Sequence, residues 1–430
     1  MTARLSLPFS AACLSLSLPV LALALGGVQE GPPSKRETKE LIEQYFALDL
    51  RSEAGLEAGD ALLERLDEVS LERASDLKTW RKHLAKEWTK GAELETGGTN
   101  WLWEEGQRGK YIVGGETKKP KGLAICMHGG GVGSGSAASA HGAYQGAIAS
   151  MDWLGIYPEV LEKTERGWTD SGTEEFVLEL VDRALRTWDI DHDRVYFVGH
   201  SMGGYGSWTL GAHHADRVAA LGPSAGAPTP ILGSDGKARS VVDGVIPNLR
   251  NVPMVIFQSA DDPRVPPDAN RVAVAALEKA KERWGGFPFE YWEVDGVGHG
   301  APPGGYRAHL EKIAGFERGE LPTKVVWQPE LSWKRQFYWL WWETPREGVI
   351  VEAEVDWEAR TLDVSTSGAV EKLSLLLRED LCDLDQTFSV RVDGKEVWSG
   401  IPEPSMDVLV ATSRHGDERL QFLARVPIVR

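Results

Sequence analysis

From Gly122 to Gly315 short apolar runs alternate with stretches of helical spacing, and few folds accept that order. The runs at 122–127, 194–198, 253–257 and 287–294 predict strands. The stretches at 176–187, 204–214, 270–283 and 306–315 predict helices. Strands separated by helices do not pair as tight hairpins. They line up in parallel, and the helices cover both faces of the sheet. The expectation is an α/β fold with a mostly parallel sheet. Asp, Gly and His clusters stand just past several strand ends, where open α/β sheets hold their ligands.

The 430 residues exceed one ordinary domain, and the pattern changes along them. Residues 1–24 predict a cleaved export signal: Arg4, an apolar run, then Ala22-Leu23-Ala24 as a small-x-small cleavage site. The run is also long enough for an uncleaved membrane anchor. Cleavage predicts a secreted or periplasmic protein without stable membrane insertion. Residues 30–98 predict two or three helices, with Leu41, Ile42, Tyr45 and Phe46 on one face. They either cap a site or pack beside the main domain, which spans 99–320 and has an edge strand at 109–113. Residues 321–345 are a tryptophan-rich connection carrying Trp327, Trp333, Trp339, Trp341 and Trp342. From 346 to 430 the period is two, which predicts a small β-rich accessory domain with a hairpin at Asp393-Gly394, a helix near 406–414 and a last strand at 421–426.

Composition excludes some functions. The net charge of −17 repels phosphate backbones, so nucleic acid is not a partner of the protein as a whole. Three cysteines, Cys13, Cys126 and Cys382, make neither a disulfide scaffold nor a cysteine-rich metal site. Cys126 lies in a strand-like apolar run, so Cys126 and Cys382 are read as free thiols. No metal and no cofactor is expected. Oligomeric state is not legible.

Gly199-His200-Ser201-Met202-Gly203-Gly204 fits G-x-S-x-G between a predicted strand and a predicted helix. That context puts Ser201 on a sharp turn as a nucleophile. A serine hydroxyl needs a base, and His299 in Gly298-His299-Gly300 follows the last strand of the alternating region. The imidazole needs a carboxylate. Asp261 and Asp262 both follow the strand at 253–257, with Asp262 preferred. The oxyanion needs preorganised donors: the N–H of Met202, and that of Gly130 or Gly129 in His128-Gly129-Gly130-Gly131. His128 is read as ordering that loop. His200 is placed beside the substrate. Residues 156–172, with Tyr157 and Trp168, are the expected substrate wall, although Trp168 equally suits a core.

These motifs together resemble the α/β-hydrolases, in particular secreted esterases that include feruloyl and acetylxylan esterases and polyhydroxybutyrate depolymerases. The matching pieces are the His128–Gly131 loop, the Ser201 turn, Asp262-Pro263-Arg264-Val265-Pro266 and Gly298-His299-Gly300, across about half the chain. The resemblance implies a serine esterase acting on small or polysaccharide-linked acetyl or feruloyl esters, and its aspartate preceding Pro supports Asp262. Two other functions remain open. One is a serine peptidase of prolyl-oligopeptidase-like type, with Glu174-Glu175 as a candidate amine anchor. The other is a glycan-binding protein with a vestigial hydrolase fold, suggested by the tryptophans of 327–342.

Overall fold

A computed structural model describes residues 31–71 and 74–429. The expected export signal and Cys13 lie outside the described residues. Three helices come first: α1 (Lys35–Ala47), α2 (Glu53–Asp67) and α3 (Ala74–Thr89). Ser34 starts α1 with a capping box closed by Glu37.

The main sheet follows. Its strands are β1 (Thr99–Trp103), β2 (Arg108–Gly115), β3 (Leu123–Met127), β4 (Leu154–Pro158), β5 (Val195–His200) and β6 (Ala220–Ser224). A small hairpin, β7 (Pro230–Leu232) and β8 (Ala238–Val241), interrupts the sheet before β9 (Met254–Ser259) and β10 (Phe289–Val294). The order is β1-β2-β4-β3-β5-β6-β9-β10. From β4 to β10 all neighbours are parallel, whereas β1 and β2 add an antiparallel edge. The helices α4 (Ala137–Ser150), α5 (Thr173–Thr187), α6 (Met202–His213), α7 (Asp268–Trp284) and α8 (Gly305–Ile313) connect the strands. This is the predicted α/β-hydrolase-like architecture.

The two-residue period of a strand makes two cores from one sheet. Leu123, Ile125, Met127, Val195 and Phe197 join the main cluster, which includes residues of α5 and α6. Ala124, Cys126, Tyr196 and Val198 join a second cluster with Tyr144 of α4 and Leu310 of α8. Cys126 and Cys382 are free and buried.

Three strands of the main sheet escaped the sequence reading. β1 pairs only at the sheet edge. β4 fell within or beside the expected substrate wall, yet it is a fully buried inner strand. β6 holds Gly222 and Pro223, which hide its strand character. Its register with β9 records only Leu221↔Met254 and Ser224↔Phe257, so the proline falls between those partners.

The expected connection at 321–345 is not one. It supplies β11 (Lys324–Trp327), β12 (Gln336–Phe337) and β13 (Leu340–Trp342) to the carboxy-terminal sheets. The other strands there are β14 (Val351–Asp356), β15 (Thr361–Thr366), β16 (Leu373–Leu377), β17 (Phe388–Val392), β18 (Lys395–Gly400) and, after helix α9 (Met406–Thr412), β19 (Ala424–Val429). One sheet runs β11-β14-β15-β17-β18, the other β12-β13-β16-β19. They meet through aromatic rings: Trp327 stacks on Phe337 at 5.4 Å and meets Trp342 edge-on at 5.9 Å. Trp327, Trp339, Trp341 and Trp342 are buried, so four of the five tryptophans belong to this core rather than to a glycan platform. Asp393 and Gly394 both take positive φ between β17 and β18, which makes the predicted tight hairpin.

The amino-terminal helices pack beside the other segments. Arg414 donates to the carbonyls of Tyr45, Phe46 and Leu48 at the carboxy-terminal end of α1, and Arg51 reaches Glu179 of α5. Among the described residues no helix is long and apolar enough to cross a membrane.

Candidate active site

The turn between β5 and α6 is tight because its glycines leave no side chain in the way. A Cβ on Gly199 would lie 2.1 Å from the carbonyl of Gly203, and one on Gly203 2.0 Å from that of Met127. Ser201 sits at φ 61°, ψ −122°, a strained backbone for a residue with a Cβ. The turn lifts its hydroxyl past the strand end.

Two other strand ends deliver the partners. His299 follows β10, and its Nε2 lies 3.0 Å from Ser201 Oγ. Its Nδ1 lies 2.8 Å from Asp262 Oδ2. With Nδ1–H donated to the carboxylate, Nε2 is left to accept the serine proton. The Asp262 side chain is fully buried. Its other oxygen accepts the N–H groups of Arg264 and Val265, each at 2.9 Å. The turn after Asp262 therefore holds the carboxylate as well as reversing the chain.

Asp261 works on the same loop from another side. Its Oδ1 accepts the Ser259 hydroxyl at 2.5 Å and the Gly298 N–H at 2.9 Å. Ser259 Oγ in turn accepts the Val297 N–H at 3.3 Å. These hydrogen bonds, the Ser259 hydroxyl foremost, hold the Asp261 carboxyl below its usual range.

His200 Nδ1 lies 3.0 Å from Ser224 Oγ, and its ring centre is 4.9 Å from that of His299. Burial pushes its pKa down to about 4. His200 is thus packed neutral between β6 and the His299 loop. The sequence had placed it against substrate.

The glycine loop after β3 lies directly against the nucleophile. A Cβ on Gly129 would meet the His200 carbonyl at 2.9 Å and Ser201 Cβ at 3.1 Å. Gly130 has φ 150°, and a Cβ there would meet the Ser134 carbonyl at 2.6 Å. His128 orders this loop. Its Nδ1–H donates to Gly129 O at 2.9 Å, while Nε2 accepts the Val160 N–H at 3.2 Å. Burial keeps it neutral by lowering its pKa.

The expected wall residues are elsewhere. Trp168 is fully buried, and its Nε1 donates to the His128 carbonyl at 3.2 Å. Tyr157 is fully buried in β4 and donates to Gln145 at 3.0 Å. Neither presents a face to a substrate, because both fill the two cores flanking the sheet. Trp168 instead props the glycine loop from beneath, a role that composition could not reveal. The longest exposed run of the segment is polar: Glu162, Lys163, Thr164, Glu165 and Arg166. It adjoins the glycine loop through the Gly133 N–H and the Lys163 carbonyl, 2.9 Å apart.

Glu174 does not reach the surface. It accepts hydrogen bonds from His213 at 2.9 Å and His214 at 2.8 Å. Burial opposes its charge, but the two histidines prevail and its pKa is about 2. Among the described residues no group of three or more His, Cys, Asp or Glu side chains converges as a metal site would.

No family model matches the chain, and no curated protein matches it. Solved structures do share similarity with it. A thermostable esterase is 19% identical with a TM-score of 0.38; the match covers 51% of this chain and 62% of that one. A phospholipase/carboxylesterase from Dyadobacter fermentans is 15% identical with a TM-score of 0.36, covering 52% of this chain and 99% of that one. Est1E from Butyrivibrio proteoclasticus is 16% identical with a TM-score of 0.35, covering 47% and 90%. The chain thus spans less than two thirds of the first of these. Similarity at this level carries no inference about chemistry.

Proposed function

We propose that this protein is an exported serine hydrolase of carboxylic esters. The observation that carries the reading is the continuous hydrogen-bonded chain Ser201–His299–Asp262. Its members come from three strand ends, so only a folded sheet assembles it.

In the proposed reaction Ser201 Oγ attacks the ester carbonyl carbon while His299 Nε2 takes the hydroxyl proton. Asp262 stabilises the imidazolium and fixes its ring. The negative charge moves to the carbonyl oxygen, where the N–H of Met202 and that of Gly130 or Gly129 receive it. The oxyanion collapses, the bond to the alcohol oxygen breaks, and His299 protonates the departing alcohol. Water repeats the sequence and releases the acid. Met202 is the first residue of α6, so its N–H is free of intrahelical bonding and the helix dipole favours the charge.

The exposed polar strip at 162–166 beside the glycine loop suits a hydroxyl-rich alcohol, and so favours carbohydrate-linked acetyl or feruloyl esters. Of the peptidase alternative's candidate amine anchors, Glu174 is buried between two histidines, and Glu175 lines a cleft that none of Ser201, Asp262 and His299 lines. Hydrolysis of p-nitrophenyl acetate and methyl ferulate by the protein and by Ser201→Ala tests the reading. Loss of turnover in the variant is expected, and turnover kept by the variant would overturn the assignment.

A further inference from the structure

Asp262 is buried, yet the loop that carries it is not: Asp261, Pro263 and Arg264 beside it are exposed. A fully buried amide grips this loop at both ends. Gln258, near the end of β9, donates from Nε2 to the Ser259 carbonyl at 3.0 Å and to the Val265 carbonyl at 3.0 Å. The two carbonyls fix which end of the amide is the donor. Its Oε1 then accepts the Nδ2–H of Asn270 at 2.7 Å, from the first turn of α7. Asn270 is fully buried as well.

Val265 is held by both of its backbone groups. Its carbonyl meets Gln258, and its N–H meets Asp262 Oδ1 at 2.9 Å. Asp262 Oδ2 faces His299 Nδ1 at 2.8 Å. A path of hydrogen bonds thus runs from α7 to the imidazole through Asn270, Gln258, Val265 and Asp262. Pro266 and Pro267 follow Val265 and have no N–H, so main-chain hydrogen bonds from the returning chain can use only carbonyls there. Met254 and Ile256 share the face of β9 that carries Gln258, and both belong to the main hydrophobic cluster. A carboxamide in that row is costly to bury unless its groups are paired. The acid loop and Asn270 pair them.

We infer that Gln258, oriented by Asn270, is a positioning residue of the active site: by closing the loop 259–265 it holds the Asp262 carboxylate on His299. The inference rests on the proposed reaction of Ser201, His299 and Asp262. Gln258 acts through Asp262 and takes no proton itself.

A double-mutant cycle tests it, with p-nitrophenyl acetate as substrate and well below the melting temperature. Gln258→Met keeps the side-chain length and loses all three hydrogen bonds. It is expected to lower kcat by about 10- to 100-fold with KM within about twofold of the parent, as a misplaced catalytic group does. Asp262→Asn removes the carboxylate that Gln258 serves. In that background, followed at higher enzyme concentration, adding Gln258→Met is expected to change kcat by less than about twofold. A residue that merely supports the fold would cost the same in both backgrounds. Should Gln258→Met not fold, Asn270→Ala replaces it. That change touches neither the strand nor the loop but frees the Gln258 amide to turn, and a kcat loss of about fivefold or more, absent in the Asp262→Asn background, is expected. An unchanged kcat, a loss carried by KM, or an equal loss in both backgrounds overturns the inference. Ser201→Ala separates the two readings. If it still turns over, the esterase proposal fails and takes this inference with it. If it is inactive, those three outcomes strike the positioning role alone.

Discussion

Asp261 and Asp262 leave the end of β9 side by side and go to different parts of one loop. Asp262 meets the His299 imidazole at 2.8 Å, and Asp261 takes the Gly298 N–H at 2.9 Å. One carboxylate addresses the ring, while the other addresses the backbone that carries it. Asp262→Asn is expected to lower kcat by about 10³- to 10⁴-fold, since the amide no longer fixes the right tautomer. Asp261→Asn keeps an acceptor oxygen for Gly298 and is expected to stay within about tenfold of the parent. Steady-state kinetics on p-nitrophenyl acetate compares them. An equal loss in both would remove the division of roles.

The strained backbone at Ser201 makes a stability prediction that is independent of catalysis. Its φ of 61° and ψ of −122° cost a residue with a Cβ about 1 kcal/mol or more. Ser201→Gly removes that cost and Ser201→Ala retains it. Both are expected to be inactive, with the glycine variant the more stable in urea denaturation.

Trp168 separates a core residue from a substrate wall. Buried whole, and bonded to the His128 carbonyl, it fills space beneath the glycine loop. Trp168→Ala is expected to destabilise the protein by about 3–5 kcal/mol. A stable variant altered only in KM would return the residue to the substrate.

Buried neutral histidines set an acid limit on stability. Burial lowers His200, His214 and His309 from an ordinary value of 6.5 to about 4. The unfolded chain then binds more protons than the folded one between those values. Their contribution is complete above pH 6.5 and is lost as pH falls towards 4. His213 opposes the trend. Burial lowers it, but Glu174 outweighs burial and raises it, so its contribution is full below 6.5 and lost as pH climbs through its raised value. Burial also lowers His83, His128, His192 and His415, so seven lowered groups act against one raised group, and the melting temperature is expected to drop between pH 6.5 and 4. A flat profile there would contradict the buried neutral state.

The order of chemistry along the chain was legible before folding. Strand–turn–helix around Ser201, a carboxylate after one strand and a histidine after another are local patterns. Parallel strands then bring their ends to one edge by necessity. Legible, too, were the hairpin at Asp393-Gly394 and the α1–α3 helices, because turn chemistry and helical spacing depend on nearby residues. β4 and β6 were not, since their glycines and prolines hide strands that exist only because neighbours on both sides pair with them.

The tryptophans mark the same boundary. Sequence counts them but does not say which way a ring faces. Four of the five between 327 and 342 are buried, and the strands that bury them are far apart in the chain. The site divides in the same way. Residue type and spacing determined which serine, histidine and acid were candidates. Only tertiary structure decided that Asp261 holds a loop, that His200 pairs with Ser224, and that four arginines from three segments share two carboxylates. Local propensity acts over a few residues, whereas burial and electrostatics act over a few ångströms, and only the folded chain makes distant residues near.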